Sequence, residues 1–277
     1  MRFTKMEGLG NDYVYVDMRE ETVLDPPRLA RRVSDRRFGI GGDGLILVHP
    51  ADDADFRMEM YNADGSRGEM CGNGIRCVAR FVHDRGWTTK DELVADTDAG
   101  RKRLWMVRDG GALTVVRVDM GPPELERSLI PMLGEPGEVI DEPLVLSDRT
   151  LQVTAVSMGN PHCVTFVDDT TAYPVGAVGP EVESHARFPN RVNAEFVQIV
   201  SRTEVHQRTY ERGSGETFAC GTGACAVVVA GRLNGLLDES VTVHLLGGDL
   251  RIEWAGRGET VFMTGPAVRV FEGTIDA

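Results

Sequence analysis

Apolar positions along this chain fall into two periods. Short alternating or continuous apolar runs at residues 13–17, 45–48, 56–61, 93–94, 104–107 and 113–120 predict strands in the first half; runs at 164–167, 194–200 and 205–210 do so in the second. Helical spacing appears over 72–85, where Ile75, Val78, Ala79 and Val82 share one face, Arg76, Arg80 and Asp84 take the other, and Gly86 supplies a C-terminal cap. Asp25-Pro26-Pro27 marks a helix start for 28–36, because prolines in the first turn waste no hydrogen bond. A further helix is expected near 180–186. The stretch 221–233 is apolar nearly all round, with Ala224, Ala226, Val227, Val228, Val229 and Ala230, so it predicts a buried helix closed by Gly235. Gly39-Ile40-Gly41-Gly42-Asp43-Gly44 reads as a loop.

The pattern occurs twice. Gly10-Asn11, Tyr61-Asn62 and Cys71-Gly72-Asn73-Gly74 recur 149 residues later as Gly159-Asn160, Tyr210-Glu211 and Cys220-Gly221-Thr222-Gly223. Self-similarity at one fixed offset is the mark of a duplicated unit. Gly121-Pro122-Pro123 marks the boundary, giving domains over 1–120 with Cys71 and 121–265 with Cys220, and a tail, 266–277, expected to return to the first domain. Short strands, many turns and one buried helix per half predict an α+β fold: two pseudo-symmetric domains, each a mostly antiparallel β structure around a central helix.

Charge and composition narrow the chemistry. The formal net charge is −13 and no Lys/Arg run offers a local patch, so nucleic acid is not expected as a partner. No stretch approaches 18 consecutive apolar residues, so no membrane span is expected; no apolar segment precedes Gly8, so no secretory signal is expected. Five cysteines with neither a CxxC pair nor finger spacing to the six histidines point to a reducing, cytoplasmic setting and to no metal site. Lysine is confined to Lys5, Lys90 and Lys102, outside the repeated motifs, which argues against a pyridoxal phosphate Schiff base.

Each repeated cysteine precedes a Gly-x-Gly turn that opens a helix, where free N–H groups and the positive dipole end meet. Backbone amides there can bind a carboxylate, and a thiol there ionises more easily, from about 8.5 toward about 3.5–7.5 in favourable sites. A single copy reads equally well as a helix cap with cysteine in a small core niche; recurrence in both halves favours the chemical reading. Two thiols facing each other across a pseudo-twofold axis suit chemistry that needs an acid and a base on opposite faces of a substrate. Cys77, Cys163 and Cys225 have no partner at the 149 offset and read as packing residues. His162, in the turn Gly159-Asn160-Pro161-His162, is a candidate for tuning a nearby thiol, and Glu211 and Arg212 occupy the repeat positions of Asn62 and Ala63.

These motifs together resemble the diaminopimelate epimerase family. The resemblance rests on Cys71-Gly72-Asn73-Gly74-Ile75-Arg76-Cys77, Gly159-Asn160-Pro161-His162, and Glu211-Arg212-Gly213-Ser214-Gly215-Glu216-Thr217 leading to Ala219-Cys220-Gly221-Thr222-Gly223. The opening Lys5-Met6-Glu7-Gly8-Leu9-Gly10-Asn11-Asp12 and the closing Thr264-Gly265-Pro266-Ala267-Val268 add to it. It implies an active site in a cleft between the two domains and cofactor-independent epimerisation of LL- to meso-diaminopimelate, on the way to lysine and peptidoglycan. By position it makes Cys71 and Cys220 the acid/base pair, with thiol tuning by His162 and Glu211. It places substrate on Asn11, Asn62, Asn160, Asn193, Glu211 and Arg212, and the reacting carboxylate on backbone groups of Gly72, Asn73, Gly221 and Thr222. It implies no cofactor and a homodimer. Two departures stand out: some relatives carry glutamine at the position of Gly44, and some carry tyrosine where Phe271 stands, at a site tied to dimerisation.

Other readings share parts of this pattern. A proline or hydroxyproline racemase uses the same two-thiol logic, but Glu211-Arg212 and the asparagine set favour a longer substrate with a second amino-carboxylate end. A phenazine-biosynthesis-type isomerase shares the fold without the paired cysteines. A binding-only module is weakened by retention of both cysteines, and a dithiol redox protein by the absence of CxxC.

Overall fold

Asp25 opens helix α1 (Pro26–Ser34) by accepting the Arg28 N–H at 3.1 Å, with Pro26 and Pro27 in the first turn. The computed structural model describes residues 1–109 and 112–276, and the side chains of all of these except residues 109 and 112–114. Contacts divide the chain into two compact units, Met1–Asp119 with Thr264–Ala277, and Met120–Met263. Among the described residues, no helix is long and apolar enough to cross a membrane.

In the first unit, β1 (Arg2–Gly8) lies antiparallel between β2 (Asn11–Asp17) and β18 (Val268–Thr274). Strand β2 runs parallel to β3 (Gly44–His49), with α1 as the crossover between them; β3 then turns back on β4 (Phe56–Asn62). After β5 (Arg67–Gly68) comes α2 (Gly72–Asp84), buried over its first eight residues, and then β6 (Glu92–Asp96), β7 (Lys102–Asp109) and β8 (Ala112–Gly121).

The second unit contains β9 (Glu142–Val145), β10 (Thr150–Ser157), β11 (Pro161–Phe166), α3 (Val175–Glu183), β12 (Asn193–Ser201), β13 (Glu204–Glu211), β14 (Gly215–Thr217), α4 (Gly221–Leu233), β15 (Ser240–Leu245) and β16 (Gly248–Trp254). It repeats the scheme. Parallel β11 and β12 are joined through α3, and β12 pairs antiparallel with β13. The registers match as well: Tyr13 faces Gly44 and Ile46 faces Met60 in the first unit, and His162 faces Asn193 and Glu195 faces Thr209 in the second, each 149 residues on. Strand β17 (Val261–Pro266) leads into β18. The sheets are mixed, with antiparallel pairs predominating among the described residues, around one buried helix per unit.

The third helix departs from the sequence pattern. It starts at Val175, five residues before its expected beginning, and carries Pro180 in its interior. The proline forfeits one intrahelical hydrogen bond, but burial of Val175, Val178, Gly179 and Val182 holds the segment helical. Gly179 permits the close approach, since a Cβ there would lie 2.5 Å from the Tyr210 ring. The pattern also predicts no strand over 2–8, 142–145, 150–157 or 240–274, where β1, β9, β10 and β15–β18 form.

Candidate active site

Cysteine is a weak acceptor and a poor N-cap by chemistry, yet both motif cysteines take that position. Cys71, extended at φ −128° and ψ 122°, accepts the Gly74 N–H on Sγ at 3.3 Å and opens α2. Cys220, at φ −116° and ψ 106°, accepts the Gly223 N–H at 3.4 Å and opens α4. The first-turn N–H groups of Gly72 and Asn73, and of Gly221 and Thr222, therefore lie at helix starts suited to an anion.

Around Cys71 the first unit supplies a short polar chain. The thiol donates to Asn11 Oδ1 at 3.2 Å, and Asn11 Nδ2 donates to Asp43 Oδ2 at 2.7 Å. Asp43 also accepts the Asp12 N–H and pairs with Arg36. An amide nitrogen held by a carboxylate leaves the carbonyl as the end facing the sulfur. Tyr13 packs beside them, its phenol lifted well above the usual range by burial and then by Cys71 and Asp43. Gly44 has no space for a side chain: a Cβ would lie 2.1 Å from the Tyr61 carbonyl oxygen and 2.7 Å from Tyr13 Cε1. Asn62 is not gathered to this thiol, its amide donating to Ser66 Oγ in its own turn. Asn73 accepts from the fully buried Arg76, which also donates to the carbonyls of Gly72 and Pro266.

The second unit gathers more of the expected residues. Cys220 Sγ lies 3.5 Å from Thr222 Oγ1 and close to Glu211. His162, fully buried, places Nδ1 2.8 Å from Glu195 Oε1 and Nε2 3.1 Å from Asn160 Oδ1. Glu211 accepts from Thr217 Oγ1 at 2.5 Å, and burial followed by the charge of Glu195 holds its carboxyl above the usual range against the pull of Thr217 and His162. Asn193 is spent on backbone: Nδ2 donates to the Pro161 carbonyl at 3.0 Å and Oδ1 accepts the Arg212 N–H at 2.9 Å. The Arg212 guanidinium donates to the Asn190 carbonyl.

One expectation fails here. A helix N-terminus should ease ionisation of Cys220, but burial, then Glu211 and Glu195, push this thiol well up, and the Thr222 hydroxyl and Gly223 N–H only partly offset them. The sequence reading missed Glu195, Gln207, Thr209, Asp43 and Tyr13. The overlooked signal for Glu195 is an acid inside an otherwise apolar strand, Ala194-Glu195-Phe196-Val197. Cys77, Cys163 and Cys225 are buried, and burial lifts Cys77 and Cys163 to about 12. The donor atoms of His162, Glu195 and Cys220 lie within 4.8 Å of one another, the one grouping among the described residues able to hold a metal ion. A cation there would have to break the imidazole–carboxylate bond first.

Solved structures share this fold. A phenazine biosynthesis protein of the PhzF family from Bacillus anthracis superposes with a TM-score of 0.75 at 18% identity, over 100% of this chain and 99% of the other. A hydroxyproline epimerase from Agrobacterium vitis gives 0.69 at 14%, over 99% and 91%. Sequence relatives are nearer. Diaminopimelate epimerase of Moorella thermoacetica is 55% identical over 274 residues (99% of this chain, 98% of the relative), and that of Acetivibrio thermocellus 52% over 276 (100% and 99%). The family model for diaminopimelate epimerase matches residues 3–126 and 154–270. With both cysteine-capped helices inside the matched segments, the chain belongs to the diaminopimelate epimerase family.

Proposed function

We propose that this chain is an isomerase that converts LL- to meso-diaminopimelate in lysine synthesis, by proton transfer at one α-carbon between two thiols and without a cofactor. The observation that carries the reading is the doubling of one device: a cysteine at the N-cap of a buried helix, accepting the N–H of the second motif glycine, in each repeat of a chain of this family. An amino-acid α-proton is a very weak acid, so its removal needs donors aimed at the carboxylate, where charge develops in the transition state. The amides of Gly72, Asn73, Gly221 and Thr222 are suited to that task. Inversion requires removal from one face of the α-carbon and delivery to the other, hence two groups. Cys220, kept protonated by burial and two carboxylates, is the proton donor, and Cys71, whose thiol donates to Asn11 Oδ1, becomes the base once it has released that proton. His162 and Glu211 set the state of Cys220. The distal amino-carboxylate end falls to Asn62, Asn160, Glu211 and Arg212, with Asn11 beside the base and Asn193 bracing the Arg212 loop.

The same reading extends to setting and assembly. Five free thiols fit a reducing cytoplasm. The half-exposed Val268, Val270 and Phe271 on β18, with Phe271 edge-on to Phe3 at 5.8 Å, offer a face for a homodimer without the tyrosine hydroxyl of some relatives. The negative charge disfavours nucleic acid.

The test is proton NMR of the reduced protein with LL-diaminopimelate in D2O. Loss of the α-proton signal together with appearance of the meso isomer is expected. If neither changes while the protein stays folded and reduced, the substrate assignment fails, and proline-type substrates are next.

A further inference from the structure

The floor beneath the two cysteine-capped helices differs between the units. Under α4 lie His162, Glu195, Gln207 and Thr209, all buried. The residues 149 positions earlier are Tyr13, Ile46, Met58 and Met60, also buried. The second glycine of each motif reports the equivalence directly. A Cβ on Gly74 would meet Ile46 Cδ1 at 2.9 Å and Met58 Cε at 3.2 Å; one on Gly223 would meet Glu195 Oε1 at 2.5 Å. The fold is thus satisfied by an apolar floor, and the polar one in the second unit has a different cause. Burying a carboxylate is costly unless every oxygen is bonded.

Here the bonds are all made by donors. Glu195 Oε2 accepts from Gln207 Nε2 at 2.7 Å and Thr209 Oγ1 at 2.5 Å, and Oε1 faces His162 Nδ1 at 2.8 Å. Gln207 turns both amide hydrogens inward, to Glu195 and Thr209, and its Oε1 finds no partner among the described residues. Gln207 and Thr209 both donate to Oε2, and an ionised carboxyl, able only to accept, takes the third bond at Oε1 from an Nδ1–H of His162.

We propose that Glu195 is a positioning residue of the epimerisation: its carboxylate fixes His162 as the Nδ1–H form and leaves Nε2 an acceptor for proton exchange, with the Asn160 amide 3.1 Å away turning its NH2 in place of Oδ1 toward it. The inference rests on the epimerase reading above. The titratable groups packed around the imidazole are Glu195, Glu211 and Cys220, so the dyad also places a fixed acceptor geometry next to the thiol. This parallels the role of a buried acid that holds an imidazole in its working tautomer in hydrolase triads.

The experiment is Glu195→Gln, followed by 15N NMR of histidine-labelled protein and by steady-state kinetics. Gln207 and Thr209 keep their acceptor by holding the new amide oxygen, which leaves the amide NH2 facing Nδ1. His162 must then accept at Nδ1, and its proton moves to Nε2. The expected result is a bare Nδ1 in the resting variant and a kcat lower by about 100-fold or more, the usual worth of a positioned acid–base group, with KM little changed. Wild-type kcat in a folded variant would overturn the proposal, as would loss of kcat with Nδ1–H retained, which would mark Glu195 as merely structural. Should the variant not fold, the wild-type spectrum decides, because a bare Nδ1 there also overturns it. The tautomer is read without substrate, so inactivity of the wild-type protein on diaminopimelate would refute the epimerase reading and leave the position of this proton to be judged separately.

Discussion

Gly74→Ala and Gly223→Ala place the same methyl group at the same motif position in the two units, and they should differ sharply. In a helix, alanine in place of glycine contributes about 0.5–1 kcal/mol by itself. At 74 the methyl meets the tips of Ile46 and Met58, at 2.9 and 3.2 Å, which can turn aside for about 1 kcal/mol. The net change there is within about 1 kcal/mol of zero. At 223 the methyl meets a carboxylate, 2.5 Å from Oε1, 2.8 Å from Cδ and 3.0 Å from Oε2, and that carboxylate is held by three hydrogen bonds. Moving it breaks at least one bond to a charged group, worth about 1.5–3 kcal/mol, and overpacking adds about 1–3 kcal/mol. Net destabilisation of about 2–4 kcal/mol follows. Differential scanning calorimetry reads this as a Tm lower by several degrees, at about 2–4 °C per kcal/mol, in Gly223→Ala but not in Gly74→Ala. Equal shifts in the two variants, or a larger one in Gly74→Ala, would refute the account of the two floors.

Cys71→Ala and Cys220→Ala should each lose epimerase activity by at least about 100-fold; substantial turnover by either variant in the α-proton assay would end the two-thiol mechanism. Asp43→Ala removes the acceptor of the Asn11 amide, frees it to rotate away from Cys71 and should lower kcat/KM about 10- to 100-fold, one hydrogen bond to a charged group being worth about 1.5–3 kcal/mol; unchanged kinetics would show that the anchor is dispensable. Because burial and two carboxylates hold Cys220 above its unfolded value, its stabilising contribution is complete below the unfolded thiol pKa of about 8.5 and is lost as pH rises past it. Cys220→Ser should therefore show a smaller fall in Tm on the alkaline side. In peptide mass mapping of the native protein with iodoacetamide, Cys220, Cys77 and Cys163 should stay unmodified at neutral pH.

The helices were legible where a local device dictates them. Asp25 with two prolines fixed the start of α1, and the Gly-x-Gly turns fixed α2 and α4, because caps act within one turn of chain. Pro180 misled for the same reason: the local rule puts proline at a helix start, while contact with Tyr210 and burial of the valine face decide the outcome from afar. Strands such as β10 and β16 pair with neighbours in sequence, β11 and β15, and β16 carries the alternation Leu250-Arg251-Ile252-Glu253-Trp254, so that signal was local and went unread. The fixed offset revealed the cysteines, but it was read only for sameness. Its informative part was the difference, His162, Glu195, Gln207 and Thr209 against Tyr13, Ile46, Met58 and Met60, whose meaning needs the register that brings them under one helix. The raised state of Cys220 was hidden likewise, since the helix end is local and the two carboxylates are not.

The first unit is built from both ends of the chain. Strand β1 pairs with β18, the Met1 amino group donates to the Ile275 carbonyl, and the buried Arg76 guanidinium under the first motif donates to Pro266. During synthesis the whole second unit, Met120–Met263, is made before those tail residues. That unit can close as soon as it is made, whereas the helix behind Cys71 waits with one partner of Arg76 and one neighbour of β1 still missing. The cysteine made first is thus housed last, and a released chain lacking Thr264–Ala277 should show native protection around Cys220 but not around Cys71.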